Sequence, residues 1–255
     1  MLPMPRRRNR AIRLRMRTRT GPGRTPRSDP PAPLRASTVS AVRRPLWWAS
    51  AWAALYLLLV VSPTGQEFDE WLLGLVQLLG PGPLAQPWHL LGRRVLPVGL
   101  VVLVLVLGTL RVRCDPWQVL RVGVCVGAST GLSLLLKQAL PRPLHGRELG
   151  YLTNTFPSTH ASATFALLVA VWWLWLPRPV WLPRLLCAAV GVAALGNVVG
   201  HAHRPSDVLG SALLVGVVAN TLRAATSRRA SGYSDDAHDR STQGRAWLTG
   251  KDGCA

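Results

Sequence analysis

Eight polar residues interrupt the apolar stretches of this 255-residue chain in a pattern that can do chemistry. Lys137 closes one apolar stretch and Arg142 follows it; Ser158, Thr159 and His160 open the next; His203, Arg204 and Asp207 join the last two. Ionisable groups at membrane depth are costly and mark function by default. Each also has an ordinary structural role. Lys137 can snorkel to the interface, His160 can be an interfacial histidine, Ser158 can cap a helix, and Asp207 suits a helix N-terminus. Together they supply two bases, one acid able to orient one of them, and two or three cations, a set suited to phosphoryl transfer. Lys137 and Arg142 can hold a phosphate, the arginine through two parallel hydrogen bonds. Ser158 and Thr159 directly precede an apolar helix, whose first N–H groups attract an anion. His203 and Asp207 are four apart, a spacing that places them on one helical face. An aspartate so placed fixes the histidine's tautomer and stabilises its cationic form. That makes His203 the nucleophile and leaves His160 as the general acid for the departing alcohol. Arg204 reaches the same phosphate only where the chain is non-helical, which Pro205 favours.

The elements that must position these residues read as membrane-crossing helices, each taking about 20 mostly apolar residues. The apolar stretches are 46–61, 96–110, 117–136, 161–176, 180–199 and 208–222. The expected fold is therefore all-α, a polytopic membrane protein of about six transmembrane helices. Trp71–Leu79 is too short to cross and reads as an interfacial or re-entrant helix. Gly127 and Gly131 form a small-x3-small pair that lets another helix approach.

Hydrophobic residues make up 49% of the chain, yet its formal net charge is +19. Thirteen arginines lie between Arg6 and Arg44, with Asp29 the only acid among them. A basic arm can mark a nucleic-acid partner. Followed by long apolar segments, it reads instead as a cytoplasmic anchor that sets orientation, with no nucleic-acid partner. The expected division is a disordered arm over 1–44, a membrane domain over 45–225 with its motif core at 117–222, and a disordered tail over 226–255. Met16 is a second candidate start within the arm. Arg111, Arg113, Arg121, Arg178, Arg184, Arg223, Arg228 and Arg229 then fall inside with both termini, and the eight chemical residues fall at the outer edge. The four cysteines, Cys114, Cys125, Cys187 and Cys254, match no zinc spacing and suggest no disulfide. Cys125 and Cys187 lie in apolar segments, where a buried free thiol is the ordinary state. The arginine- and alanine-rich style suggests a bacterial protein.

Three blocks in order, KQALPRP (Lys137–Pro143), FPSTHASA (Phe156–Ala163) and GNVVGHAHRPSD (Gly196–Asp207), resemble the motifs of the type-2 phosphatidic acid phosphatase family, which shares its fold with vanadium haloperoxidases. The resemblance covers roughly residues 50–225. It implies hydrolysis of a lipid phosphate at the outer face of the plasma membrane, without metal or other cofactor, with membrane lipids as partners. His203 would attack phosphorus, Asp207 would support it, and His160 would protonate the departing lipid oxygen; water would then release phosphate. The chain departs from the family pattern in three places. The Lys-to-Arg spacing is shorter by two residues, Thr159 stands in place of Gly, and Gly196-Asn197 stands in place of the Ser-Arg pair, so Arg204 becomes a replacement donor. Three other readings stay open here. One is an inactive relative that binds a lipid head group. Another is a small transporter or membrane scaffold. The third, least favoured, is a vanadate-dependent oxidase.

The orientation is testable directly. Reporter fusions after Gly150 and after Arg229 are expected to score outside and inside respectively, and the reverse result would move the eight residues to the cytoplasmic face.

Overall fold

The computed structural model describes residues 35–78, 85–143, 154–200 and 203–226, and among these the regular structure is helical. The arm up to residue 34, the tail from residue 227, His201 and Cys254 lie outside the described residues. Helix α1 runs Arg35–Leu55 and widens into a π-helical stretch at Tyr56–Val61. Helicity therefore begins before Leu46 and takes in residues 35–44, the last part of the expected arm; Pro45 is carried inside the helix.

Ser62 breaks α1 and starts α2 (Pro63–Gln77). Its hydroxyl accepts from the Gly65 amide at 3.0 Å, and Pro63 occupies the first turn, where a missing N–H costs nothing. The short helix expected at Trp71–Leu79 is thus longer and starts earlier, because the cap lies well upstream of the apolar run. Gln66, Asp69 and Leu73 form the buried face of α2, while Phe68, Trp71 and Leu75 stand on its exposed side.

The second crossing is a continuous helical stretch over Ala85–Arg111: α3 (Ala85–Leu90), a π-helical segment (Leu91–Val95) and α4 (Leu96–Arg111). Apolarity alone placed its start at Leu96, because Arg93 and Arg94 interrupt the pattern. Four helices follow: α5 (Pro116–Ala139), α6 (Thr159–Leu174), α7 (Leu182–Val199) and α8 (Pro205–Thr226). Asp115 caps α5 by accepting from the Gln118 amide at 2.9 Å.

Five of these stretches are long and apolar enough to cross a membrane: Val42–Val61, Ala85–Arg111, Pro116–Ala139, Leu182–Val199 and Pro205–Thr226. The chain is an all-α, multi-pass membrane protein. α6, with 16 residues, is shorter and is the helix that the others surround. It packs on α4, α5 and α7, and its Phe165, Leu168 and Val171 share one core with Val208 and Val215 of α8. Leu57, Leu58, Val98, Val102, Leu105, Leu134 and Leu135 remain exposed on the bundle's outside. A belt of that size suits lipid rather than water.

Close helix approach does occur, but not at Gly127 and Gly131, around which nothing lies within 4 Å of an added Cβ. It occurs where the π-helical segment crosses α7: a Cβ on Gly92 would lie 2.8 Å from Gly196 Cα, and one on Gly196 would lie 2.7 Å from Gly92 Cα. Cys125 is buried as expected, whereas Cys187 is exposed on α7. At α8, a Cβ on Gly210 would fall 2.3 Å from Phe156 Cε2. Phe156 is fully buried and packs against Trp52 of α1 and Tyr56 of the π-helical stretch after it, so Gly210 lets α8 seat the turn that leads into α6. Gly210→Val forces overpacking worth about 1–3 kcal/mol. The variant is expected to melt several degrees lower in detergent; an unchanged midpoint would show that Phe156 can swing aside.

Candidate active site

The end of the bundle where α1, α5 and α7 finish and where α6 and α8 begin holds all of the sequence-predicted residues. The segment after α5 is pinned by carbonyl acceptors. Tyr56 Oη donates to Pro141 O and Gln66 Nε2 to Pro143 O, each at 2.6 Å. Asn154 Nδ2 closes the α5 C-terminus by donating to Lys137 O at 3.2 Å and Leu140 O at 2.8 Å. Arg142, fixed between two anchored prolines, turns inward. Its Nη1 donates to Asp207 Oδ1 at 2.6 Å and to Thr155 Oγ1 at 3.1 Å, and its Nη2 stands 3.6 Å from Asp69 Oδ2. Its partners are therefore two carboxylates and a hydroxyl.

Ser158 is the N-cap of α6: its hydroxyl accepts from the Ala161 amide at 3.3 Å. Its own amide donates to Asp207 O at 3.3 Å, and its carbonyl accepts from Ser211 Oγ at 2.9 Å. The start of α6 is thereby bolted to the start of α8. Thr159 and His160 carry first-turn N–H groups, which have no partner within a helix. Ser133 Oγ of α5 lies 3.5 Å from Thr159 Oγ1.

His203 and Arg204 precede α8 rather than lying on it, so the four-residue spacing to Asp207 works by a different geometry from the one expected. Pro205 begins the helix and Asp207 is its third residue. Asp207 Oδ2 reaches back to accept from the Arg204 amide at 3.1 Å, a capping box with aspartate in the acceptor position. The same oxygen stands 3.5 Å from His203 Nδ1, a contact longer than a good hydrogen bond. The His203 amide donates to Asn197 O at 3.1 Å. Arg204 lies in non-helical chain, which was the condition for its reaching a phosphate, but it is buried within electrostatic reach of Arg142, Asp69, Asp207 and Glu70.

Asp69, which the sequence reading passed over, completes the buried cluster. Its carboxylate accepts from the Ser206 amide at 2.9 Å and from Ser206 Oγ at 2.5 Å, caps α8 from outside, and faces Arg142. Burial pushes its carboxyl above the ordinary carboxylate range, against the opposing pull of the two Ser206 hydrogen bonds and Arg142. The available signal was the i, i+3, i+7 face of Gln66, Asp69 and Leu73, which puts polar residues on the side an interfacial helix buries.

The second residue missed is Arg93. Its Nη2 lies 3.4 Å from His160 Nδ1 and its Nη1 lies 3.2 Å from His89 Nε2. Arg93 and Arg94 sit at the end of a crossing that the positive-inside rule expects to be poor in arginine, and that was their signal. His160 is exposed and lies within electrostatic reach of Arg93, His203 and Lys137; half-buried Lys137 feels both Asp207 and Arg93. The end thus has two layers. A buried layer holds Asp69, Asp207, Arg142, Arg204 and His203; His160, Lys137 and Arg93 are more exposed. This arrangement can orient a nucleophilic imidazole, hold an anion above it, and offer a second imidazole to a leaving group.

A family model described as PAP2 superfamily matches residues 99–230, which include the three motif blocks. No curated protein and no solved structure matches the chain.

Asp69 has a measurable weight. Asp69→Ala leaves the buried Arg142 with one carboxylate fewer and the Ser206 amide unpaired, a defect of about 3–5 kcal/mol when a buried ion pair loses a partner. The variant is expected to unfold at a markedly lower temperature than wild type in the same detergent, with Asp69→Asn between the two. Equal stability for all three would show that Arg142 and Ser206 find other partners.

Proposed function

Because the chain belongs to the PAP2 superfamily, whose function is of the phosphatase type, we propose that it hydrolyses a lipid phosphate through a phosphohistidine intermediate at the outer face of the membrane. One observation carries the reading: a buried carboxylate, Asp207, orients His203 beneath the exposed His160 at a helix start. A head-group binder has no need of a nucleophile held in that way.

With the His203 Nδ1 proton turned toward Asp207, the lone pair on Nε2 is free to attack. In the first step the Nε2–P bond forms as the bond from phosphorus to the lipid oxygen breaks, and His160 gives its proton to that oxygen. In the second step water attacks phosphorus, His160 recovers a proton from it, and the P–N bond breaks to release phosphate. Lys137 and the first-turn amides of Thr159 and His160 face the developing charge. Arg142 contributes by holding Asp207 rather than by reaching the phosphate itself. No step calls on a metal ion.

Two features support a lipid substrate. The site lies at one end of a membrane bundle. Beside it, α2 buries Asp69 and exposes Phe68 and Trp71, whose rings meet at 5.6 Å, as an interfacial helix does. The arginines of the opposite end support the outward orientation. Arg111 donates to Leu176 O, Arg178 lies over the Trp172 ring, and Arg223 lies over the Trp173 ring.

Phosphate release by the detergent-solubilised chain from a panel of lipid phosphates, in the presence of EDTA, tests the reading. His203→Ala is expected to abolish release. His160→Ala is expected to lose lipid substrates by about 100-fold or more while largely sparing aryl phosphates, whose leaving groups need no proton. Near-normal turnover by His203→Ala, or activity lost to the chelator, would overturn the mechanism.

A further inference from the structure

At the bundle end opposite the active site, α5 begins and α8 finishes, and a groove runs between them. Its apolar walls are Trp117, Leu120 and Val124 on α5 and Leu222 on α8. Arg121 lines it too, in the same i, i+3, i+4, i+7 face of α5. On the adjoining faces the two helices are closed, because Val122 and Cys125 share a core with Val218 and Ala219. Along the groove the last turn of α8 offers only the small Ala225 and Thr226, and a cavity of about 480 Å³ results. Sites for small molecules span about 300–1,000 Å³.

Arg121 differs from the other arginines of this end. Arg111 donates to Leu176 O, Arg178 Nε donates to Trp172 O at 3.0 Å, and Arg223 lies over the Trp173 ring. Asp115, the acid nearest to Arg121 in sequence, is occupied in capping α5. Arg121 Nε is buried without a hydrogen-bond partner, and among the described residues no acid pairs with its guanidinium. A buried cationic donor is costly to leave unpaired. Arg121 lies five residues inside the start of α5, about 7.5 Å at 1.5 Å per residue. Long side chains at such a depth lean back toward the helix N-terminus and the membrane edge. Trp117, in the first turn, sits where interfacial tryptophans do. The groove thus grades from cationic near the bundle end to apolar at Val124 and Leu222, which is the polarity of a lipid with an anionic head.

We propose that this groove holds one anionic membrane lipid of the leaflet opposite the active site, with its phosphate on Arg121 and an acyl chain along Leu120, Val124 and Leu222. A guanidinium fork matches two oxygens of one phosphate, and basic pockets between membrane helices recognise anionic head groups. A zwitterionic lipid brings the same phosphate with an ammonium beside it, and that second positive charge weakens its hold on Arg121. The lipid bridges the start of α5 and the end of α8, the two helices that carry Lys137 and Asp207 at their other ends. Because Arg121 lies at the far end from His203, the site stands whatever reaction the other end performs.

Native mass spectrometry of the full chain tests the site, with the protein released from micelles that carry equal amounts of dioleoylphosphatidylglycerol and dioleoylphosphatidylethanolamine. The anionic probe is a phosphodiester, so it presents no terminal phosphate to the active site. Wild type is expected to retain one phosphatidylglycerol in preference to the zwitterionic lipid. Arg121→Ala is expected to lower that preference by about tenfold or more, the range for one charged hydrogen bond, and Arg121→Lys by less. Ala225→Trp fills the groove with the cation in place and is expected to lose the lipid as well. Arg184→Ala removes a charge from the start of α7, at the same bundle end but outside the groove, and is expected to bind as wild type does. Lys137→Ala, at the other end, is expected to do the same. A wild-type chain with no preference for the anionic lipid, or a folded Arg121→Ala chain that keeps the full preference, overturns the proposal. So does a loss in Arg184→Ala equal to that in Arg121→Ala, the mark of diffuse attraction. A loss in Lys137→Ala with Arg121→Ala unaffected overturns it too, by placing the lipid at the active site.

Discussion

The buried carboxylate of Asp207 is the constraint around which this end of the molecule is built. An isolated charge in an apolar interior costs many kcal/mol, so a folded chain must surround it with donors or leave it protonated. Here the donors come from separate elements: Arg142 from the segment after α5, the Arg204 amide from the turn into α8, and His203 from the end of the α7–α8 connection. The Asp207 carbonyl accepts from the Ser158 amide and from Ser211 Oγ. One residue therefore fixes the relative placement of His203, the loop of the first motif block and the start of α6. The N-terminus of α8 also favours the negative charge. Asp69 caps the same helix start from α2, and two neighbouring carboxylates coexist there because Arg142 reaches both.

That coupling explains which parts of the site could be read in the sequence. Lys137, Ser158, His160, His203 and Asp207 were legible because polar residues at the ends of apolar runs have few reasons to be there. The use made of Arg142 was not legible. Spacing says that an arginine lies near the site, but whether its fork faces an anion or a carboxylate depends on where Tyr56 and Gln66 pin the flanking carbonyls, and those contacts span 85 and 77 residues. Asp69 was hidden for a related reason. It lies in a different part of the chain from the motifs, and its partner Ser206 is 137 residues away.

The helices were legible where apolarity is continuous and misread where it is interrupted. α5 and α7 begin and end close to their apolar stretches. The second crossing begins at Ala85 although Arg93 and Arg94 interrupt its apolar run, because a helix tolerates arginines near its end, something a hydropathy window cannot know. Gly127 and Gly131 had the right spacing for close packing and no neighbour. Gly92 and Gly196 lie on different helices, so no spacing rule joins them, yet theirs is the contact that brings two backbones together.

The lengths of α5 and α6 determine how deep the chemistry sits. Their inner ends are level, since Gln118 Nε2 at the start of α5 donates to Trp173 O at the end of α6 at 3.2 Å. Their outer ends are not. The first residue of α6 meets Ser133 of α5, and α5 continues past Ser133 to Ala139. At 1.5 Å per residue that overhang is about 9 Å. Lys137 lies one turn above Ser133, and side chains on a helix lean toward its N-terminus, which for α5 is the inner end. Its ammonium is therefore directed down toward the α6 start rather than out past the bundle. The N-terminus of α6 therefore lies below the rim formed by its neighbours. The short central helix that falls below the usual crossing length is what creates this recess. A longer α6 would raise His160 and the first-turn amides to the aqueous edge, away from both Lys137 and the buried pair that orients His203.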